Sequence, residues 1–242
     1  MRGKGSLSNY RKLKALAFEY GAALFGVADT VPVKDSFCIE PSSVCEGLDR
    51  GISIGVRLSE RVVGTITDVP TRIYAFHYKR VNSLLDEITL KLSNFIQNSG
   101  YSALPVPASF IEDWDRMRGA VSHKKIGHLA GNGYIGRSGL LVNPKYGAAV
   151  RYATVLTDMP LKTGKPVKAG CGECAACVAL CPAKAIKKQA KDLDLEACRG
   201  LLKTFANRPG IGHSICGICV KACKGKRNKK YSGGTNGGGK DT

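Results

Sequence analysis

The sequence is short of acidic residues, of tryptophan and of long apolar runs. Asp and Glu number 19 against 37 Lys and Arg, and a single Trp occurs in 242 residues. No stretch approaches the ~18 apolar residues that a membrane helix requires, so no membrane span is expected. The segment Met1-Arg2-Gly3-Lys4-Gly5-Ser6 is basic, but it lacks the apolar core of an export signal and a twin-arginine pair. A cytoplasmic protein is therefore expected, and not a secreted disulfide scaffold.

Cysteine is abundant. Eight of the ten cysteines fall between Cys171 and Cys223, with Cys38 and Cys45 far upstream. Clustered thiols in a cytoplasmic chain point to metal. Cys171-x2-Cys174-x2-Cys177-x3-Cys181-Pro182 has the spacing of a bacterial ferredoxin. Three cysteines at two-residue gaps wrap one cubane, and the fourth opens a helix leading to a second cluster, with the proline suited to its first turn. By the same crossing-over logic, Cys171, Cys174, Cys177 and Cys223 hold one [4Fe–4S] cluster. Cys181, Cys216 and Cys219 then need a fourth ligand, and Cys198 is the one at hand. Paired C-x2-C elements also build zinc sites, but zinc has no need of the three-cysteine run followed by Cys-Pro. Cys38 and Cys45 read as ordinary thiols, and His77, His123, His128 and His213 as structural.

The formal charge of +18 falls to roughly +14 once each oxidised cluster with its thiolates contributes about −2. The balance remains basic, which suits an acidic partner: tRNA, an acidic ferredoxin or flavodoxin, or a phosphate-bearing cofactor. Lys224, Lys226, Arg227, Lys229 and Lys230 lead into a Gly-rich tail, read as disordered.

Hydrophobic periodicity predicts helices over 7–20, 71–98 and 122–130, and strands over 22–28, 52–58 and 102–107. Residues 140–142 and 148–156 read as paired strands around the turn Asn143-Pro144-Lys145-Tyr146-Gly147. Without a regular βαβ alternation, the expected class is α+β. The expected domains are 1–161, 162–223 (the two-cluster module, after a Lys/Gly/Pro linker) and the tail 224–242. Gly131-Asn132-Gly133-Tyr134-Ile135-Gly136 matches a dinucleotide fingerprint literally. A helix is predicted before it and an extended segment after it, the reverse of the Rossmann order.

Several stretches together resemble the epoxyqueuosine reductase family, relatives of the corrinoid-dependent reductive dehalogenases. These are Tyr74-Ala75-Phe76-His77-Tyr78, the run Leu129–Val142, Val155–Leu161 and both cysteine groups, Cys198 included. The resemblance implies a nitroreductase-like α+β domain holding base-off cobalamin, with Gly131, Gly133, Ile135, Gly136 and Ser138 against the corrin. It implies an oxidoreductase acting by reductive deoxygenation, with epoxyqueuosine in tRNA as a substrate. A low-potential ferredoxin or flavodoxin would be the donor, with electrons entering through the Cys181 group and leaving through the Cys171 group. The family's catalytic aspartate has no counterpart in Leu104-Pro105-Val106-Pro107-Ala108-Ser109, which leaves Asp113 and Asp115 as candidate proton donors. A two-cluster electron carrier and a non-catalytic corrinoid-binding module are the rival readings.

Overall fold

The computed structural model describes residues 2–113, 116 and 118–225. Its centre is a four-stranded antiparallel sheet in the order β1-β2-β6-β3. The strands are β1 (Leu24–Asp29), β2 (Arg50–Arg57), β3 (Ala103–Val106) and β6 (Val150–Thr157). Period-two alternation gives the sheet two working faces. Ile52, Ile54 and Val56 of β2, with Ala153 and Val155 of β6, enter the main core. Against them lie α1 (Arg2–Glu19) and the 27-residue α3 (Arg72–Asn98), which contributes Val81, Leu85, Ile88, Leu92 and Ile96. The Thr71 hydroxyl caps α3 by accepting from the Tyr74 N–H at 3.3 Å. A short helix, α2 (Glu60–Gly64), precedes it.

The other face of β2 carries Gly51, Ser53 and Gly55, and there α4 (His123–Leu129) packs close to the sheet. A Cβ on Gly51 would come within 2.7 Å of the Thr30 Cγ2 and 3.0 Å of the Ile126 Cγ2, so small residues set that spacing. Asn132 ties the following loop to the sheet, donating to the Ser53 carbonyl at 3.2 Å and its hydroxyl at 3.0 Å.

One expected pairing is corrected. Leu141–Val142 (β5) does not pair with the long strand after it. It pairs with Tyr134–Ile135 (β4), while β6 inserts between β2 and β3. The expected turn keeps only a single bridge, Asn143 with Gly147.

No helix or strand lies between Thr157 and Ala176. The cysteine-rich segment then forms α5 (Ala176–Ala179), α6 (Leu195–Ala206) and α7 (Ile218–Ala222). Ile211, Ile215 and Ile218 join the main core, so this segment shares a hydrophobic interior with the sheet. Each such side chain contributes about 1.5–3 kcal/mol when fully buried. Arg72 donates to the Pro209 carbonyl at 3.2 Å, and Lys221 to that of Ile66. Among the described residues no helix is long and apolar enough to cross a membrane.

Candidate active site

Strand β3 pairs only with residues 154–157 of β6. Among the described residues the edge of β6 from Val150 to Ala153 is therefore left without a strand partner on that side. A cavity of about 1010 Å³ lies there, walled by α3, the start of α4, Leu140–Leu141, residues 212–215 and Val220. That is the upper end of the range for small-ligand sites, about 300–1,000 Å³.

Arg151 faces α3 from β6, on the same side as Ala153 and Val155. Its Nε donates to Asn82 Oδ1 at 3.1 Å and its Nη2 to Ser109 Oγ at 3.0 Å, and its guanidinium lies over the Tyr78 ring. The Tyr78 hydroxyl meets Ser109 Oγ at 3.2 Å, and Asn82 Nδ2 donates to that oxygen at 2.8 Å. Burial opposes ionisation of Tyr78. The Arg151 charge and the hydrogen bonds from Ser109, Asn82 and Arg151 outweigh it, so the phenol sits below its ordinary pKa of 10.0. A tyrosine made more acidic at a cavity wall is equipped to release a proton. Among the described residues the cavity carries Lys79, Arg80, Lys124 and Arg151 against one carboxylate, Asp86, a field that favours an anionic or phosphate-bearing ligand. Asp86 Oδ1 accepts from the Ala108 N–H at 2.8 Å.

The four histidines divide by their partners. His123 is fully engaged: Nε2 lies 2.9 Å from the Pro107 carbonyl and Nδ1 2.8 Å from Thr154 Oγ1. The carbonyl can only accept, so Nε2 carries the proton and Nδ1 accepts from threonine. Burial, despite the Pro107 bond, pulls its pKa down to about 4. His77 Nε2 accepts from the Ser59 N–H, and His128 Nδ1 donates to the Gly133 carbonyl. His213, a cavity-wall residue, differs: among the described residues its buried Nε2 has no hydrogen-bond partner. The Tyr152 hydroxyl is in the same position. Buried polar atoms are normally paired; among the described residues Arg50 Nε and Ser93 Oγ, neither on the cavity wall, are also without a partner.

Eight thiols adjoin this cavity in two groups. Cys177 is held above its ordinary pKa by burial and by Cys171, Cys223 and Cys174. Cys219 is pushed up to about 12 by burial and by Cys216, Cys198, Cys177 and Cys181. Cys198 and Cys216 also act on one another and on Cys181. The first group packs beside Leu140 and Ala148, both cavity residues. The second acts on Tyr74, also at the wall, whose phenol is raised chiefly by burial and further by Cys219 and Cys216. Both groups thus stand behind the cavity lining. Among the described residues no three His, Cys, Asp or Glu side chains converge tightly enough for a single metal ion. Eight thiols in two adjoining fours supply the number of donors that a pair of cubanes takes, and the cationic lining of the cavity suits a phosphate-bearing cofactor. Cys38 and Cys45 lie elsewhere, Cys45 in the second core cluster.

The glycine-rich loop does something other than line the cavity. Gly131, at φ +86°, sits where a Cβ would lie 2.8 Å from the Lys165 carbonyl oxygen. A Cβ on Gly133 would run into the Val142 carbonyl oxygen. One on Gly136 would come within 2.8 Å of the Val142 Cγ2 and 3.4 Å of Cys171 Sγ. The loop glycines thus let this chain approach itself, bringing the loop onto the cysteine segment. None of Gly131, Gly133, Ile135, Gly136 and Ser138 lines the cavity; Ile135 is exposed and Ser138 half-buried. Asp113 also lies off its wall, its Oδ1 accepting from the Arg116 N–H at 2.9 Å. Asp115 lies outside the described residues. Sequence reasoning missed Tyr78, Asn82 and Arg151. The available signal was an arginine set inside the apolar strand Val150–Leu156, a charge that needs a built partner.

No family model matches the chain. It is 37% identical over 68 residues to an epoxyqueuosine reductase of Lactococcus garvieae, covering 28% of this chain and 19% of that one. It is 30% identical over 171 residues to a tetrachloroethene reductive dehalogenase of Desulfitobacterium hafniense, covering 68% and 29%. The chain thus spans less than a third of the length of these relatives. In fold it matches a catabolic reductive dehalogenase in complex with 3-bromo-4-hydroxybenzoic acid, with a TM-score of 0.71 at 22% identity over 91% of this chain and 32% of that one. It also matches an epoxyqueuosine reductase with an epoxyqueuosine-modified tRNA stem loop, at 0.57 and 18% identity over 79% and 56%.

Proposed function

Because the chain is related to the epoxyqueuosine reductases and the reductive dehalogenases, we propose that it is an iron–sulfur oxidoreductase that reduces a substrate in the cavity beside β6. One observation carries this reading. Two fours of thiols stand behind the lining of a cavity that also holds an acidified, arginine-backed tyrosine. Cys171, Cys174, Cys177 and Cys223 would hold one [4Fe–4S] cluster, and Cys181, Cys198, Cys216 and Cys219 the other. A base-off cobalamin would occupy the cavity, where Lys79, Arg80, Lys124 and Arg151 would suit its phosphate group. When bound, these groups supply one-electron transfer and the reductive chemistry of the corrinoid.

The chain's own residues supply the proton and the electrostatics. Reductive removal of an epoxide oxygen consumes two electrons and two protons and releases water. Tyr78 Oη holds one of those protons. Arg151, fixed by Asn82, Ser109 and the Ala108 carbonyl, stabilises the phenolate left behind, and solvent returns the proton. His123 stays neutral and anchors the start of α4. The basic surface suits an acidic electron donor, such as a ferredoxin or flavodoxin, and tRNA as a substrate.

The deciding measurement is iron and cobalt content, with a visible spectrum, on protein purified anaerobically and reconstituted with cobalamin. About eight iron and one cobalt per chain are expected. Eight iron with no cobalt would leave a two-cluster electron carrier. Cobalt without turnover on tRNA or halides would leave a corrinoid-binding module.

A further inference from the structure

Arg137 closes the glycine-rich loop and reaches into the cysteine segment with every part of itself. Its backbone N–H points at Cys171 Sγ at 3.5 Å. Its Nε donates to the Lys188 carbonyl at 2.6 Å, its Nη2 to that of Gly172 at 2.8 Å and its Nη1 to that of Cys174. Gly136 before it makes the approach possible, since any larger residue would press on Val142 and on the same sulfur. A guanidinium held at three carbonyls around the first cysteine loop has a fixed position. A surface lysine is mobile and screened by salt.

We infer that Arg137 sets the reduction potential of the cluster bound by Cys171, Cys174, Cys177 and Cys223, which rests on the two-cluster reading above. Adding an electron takes such a cluster with its thiolates from about −2 to about −3. A nearby fixed positive charge stabilises the reduced form more than the oxidised one. The N–H directed at Cys171 Sγ acts in the same direction, because hydrogen bonds to cluster sulfurs raise the potential. Arg137 therefore makes this cluster easier to reduce than its thiolates alone would. Holding the loop carbonyls is its second action, and the two separate by substitution.

The test is a redox titration of the anaerobically reconstituted full chain, followed by EPR, on the parent, Arg137→Met and Arg137→Lys. Arg137→Met is expected to keep about eight iron and to cut the reduced-to-oxidised ratio of one cluster about tenfold at a fixed potential, or about 59 mV for a one-electron couple. The second cluster serves as the internal reference and stays put. Arg137→Lys keeps the charge and holds the parent potential, with a lower melting temperature from the lost fork. An unshifted potential in Arg137→Met with full iron overturns the inference. If Arg137→Met loses the first cluster and Arg137→Lys retains it at the parent potential, the charge is again what that cluster needs. Loss of the cluster in both variants makes Arg137 a structural clamp and overturns it. A parent chain that binds far fewer than eight iron defeats the two-cluster reading itself, a separate outcome.

Discussion

The Arg151 guanidinium lies 4.4 Å from the centre of the Tyr78 ring, although 72 residues separate them in the chain. The pair makes the phenol more acidic than its ordinary 10.0. A proton donor works while it is protonated, so turnover falls as pH rises through the folded-state pKa, which lies below 10. Tyr78→Phe removes the donor and is expected to slow turnover by about 10²–10⁴-fold. Arg151→Met removes the stabilising charge, and the alkaline limb moves to higher pH. A Tyr78→Phe variant with the parent rate and the parent limb would assign the proton to another group.

How far the sequence alone reaches follows from which interactions are local. Helix α3 was legible because Val81, Leu85, Ile88, Leu92 and Ile96 repeat on one face and Gly100 follows its end. The cysteine spacing was legible because it lies within one short stretch of chain, from Cys171 to Cys181. The partner of β5 was not, because whether Leu141–Val142 joins β4 or β6 depends on β6 inserting between β2 and β3, a long-range choice. The Tyr78–Asn82–Arg151 network was hidden for the same reason, being assembled from α3 and β6. The glycine loop was visible as a motif, whereas what its glycines pack against within the chain was not. Its glycines admit this chain's own backbone, at Lys165 and Val142.

His123 gives the folded state a dependence on acid. Its pKa falls to about 4 from 6.5, so between those values the unfolded chain binds a proton that the folded chain refuses. Stability from this group is complete above about pH 6.5 and declines as pH falls toward 4. The loss is on the order of 3 kcal/mol, at about 1.4 kcal/mol per pH unit. Urea unfolding at pH 7.5 and pH 5 measures it. His123→Gln is expected to be less stable at pH 7.5 and flatter with pH, and an unchanged slope would show that other groups govern acid unfolding.

Two glycines separate close packing from free space. A methyl group at Gly133 has no room beside the Val142 carbonyl oxygen, whereas one at Gly170 meets nothing within 4 Å. Overpacking of this kind costs typically about 1–3 kcal/mol. Gly133→Ala is therefore expected to lower the melting temperature by several degrees, and Gly170→Ala to leave it within a degree or raise it slightly. Equal melting temperatures for the two variants would mean that the β4–β5 turn yields freely.

Cys198 is the proposed ligand whose assignment rests least on spacing, since it sits alone on α6 while the other seven fall in two tight runs. In the fold its thiol interacts with Cys181, and it contributes to the raised pKa of both Cys216 and Cys219. A serine oxygen is a poorer ligand for iron than a thiolate, so Cys198→Ser should lose or destabilise one cubane and leave the other. Iron would fall from about eight toward about four per chain, with the EPR signal of one reduced cluster remaining. Because α6 is capped by Asp194, which accepts from the Ala197 N–H at 2.9 Å, the helix itself does not depend on the thiol. Far-ultraviolet circular dichroism should therefore match the parent. Full iron in Cys198→Ser would remove it from the ligand set and require another fourth donor for Cys181, Cys216 and Cys219. Loss of all iron would show that the two clusters assemble only together, consistent with the electrostatic coupling of Cys177 to Cys219.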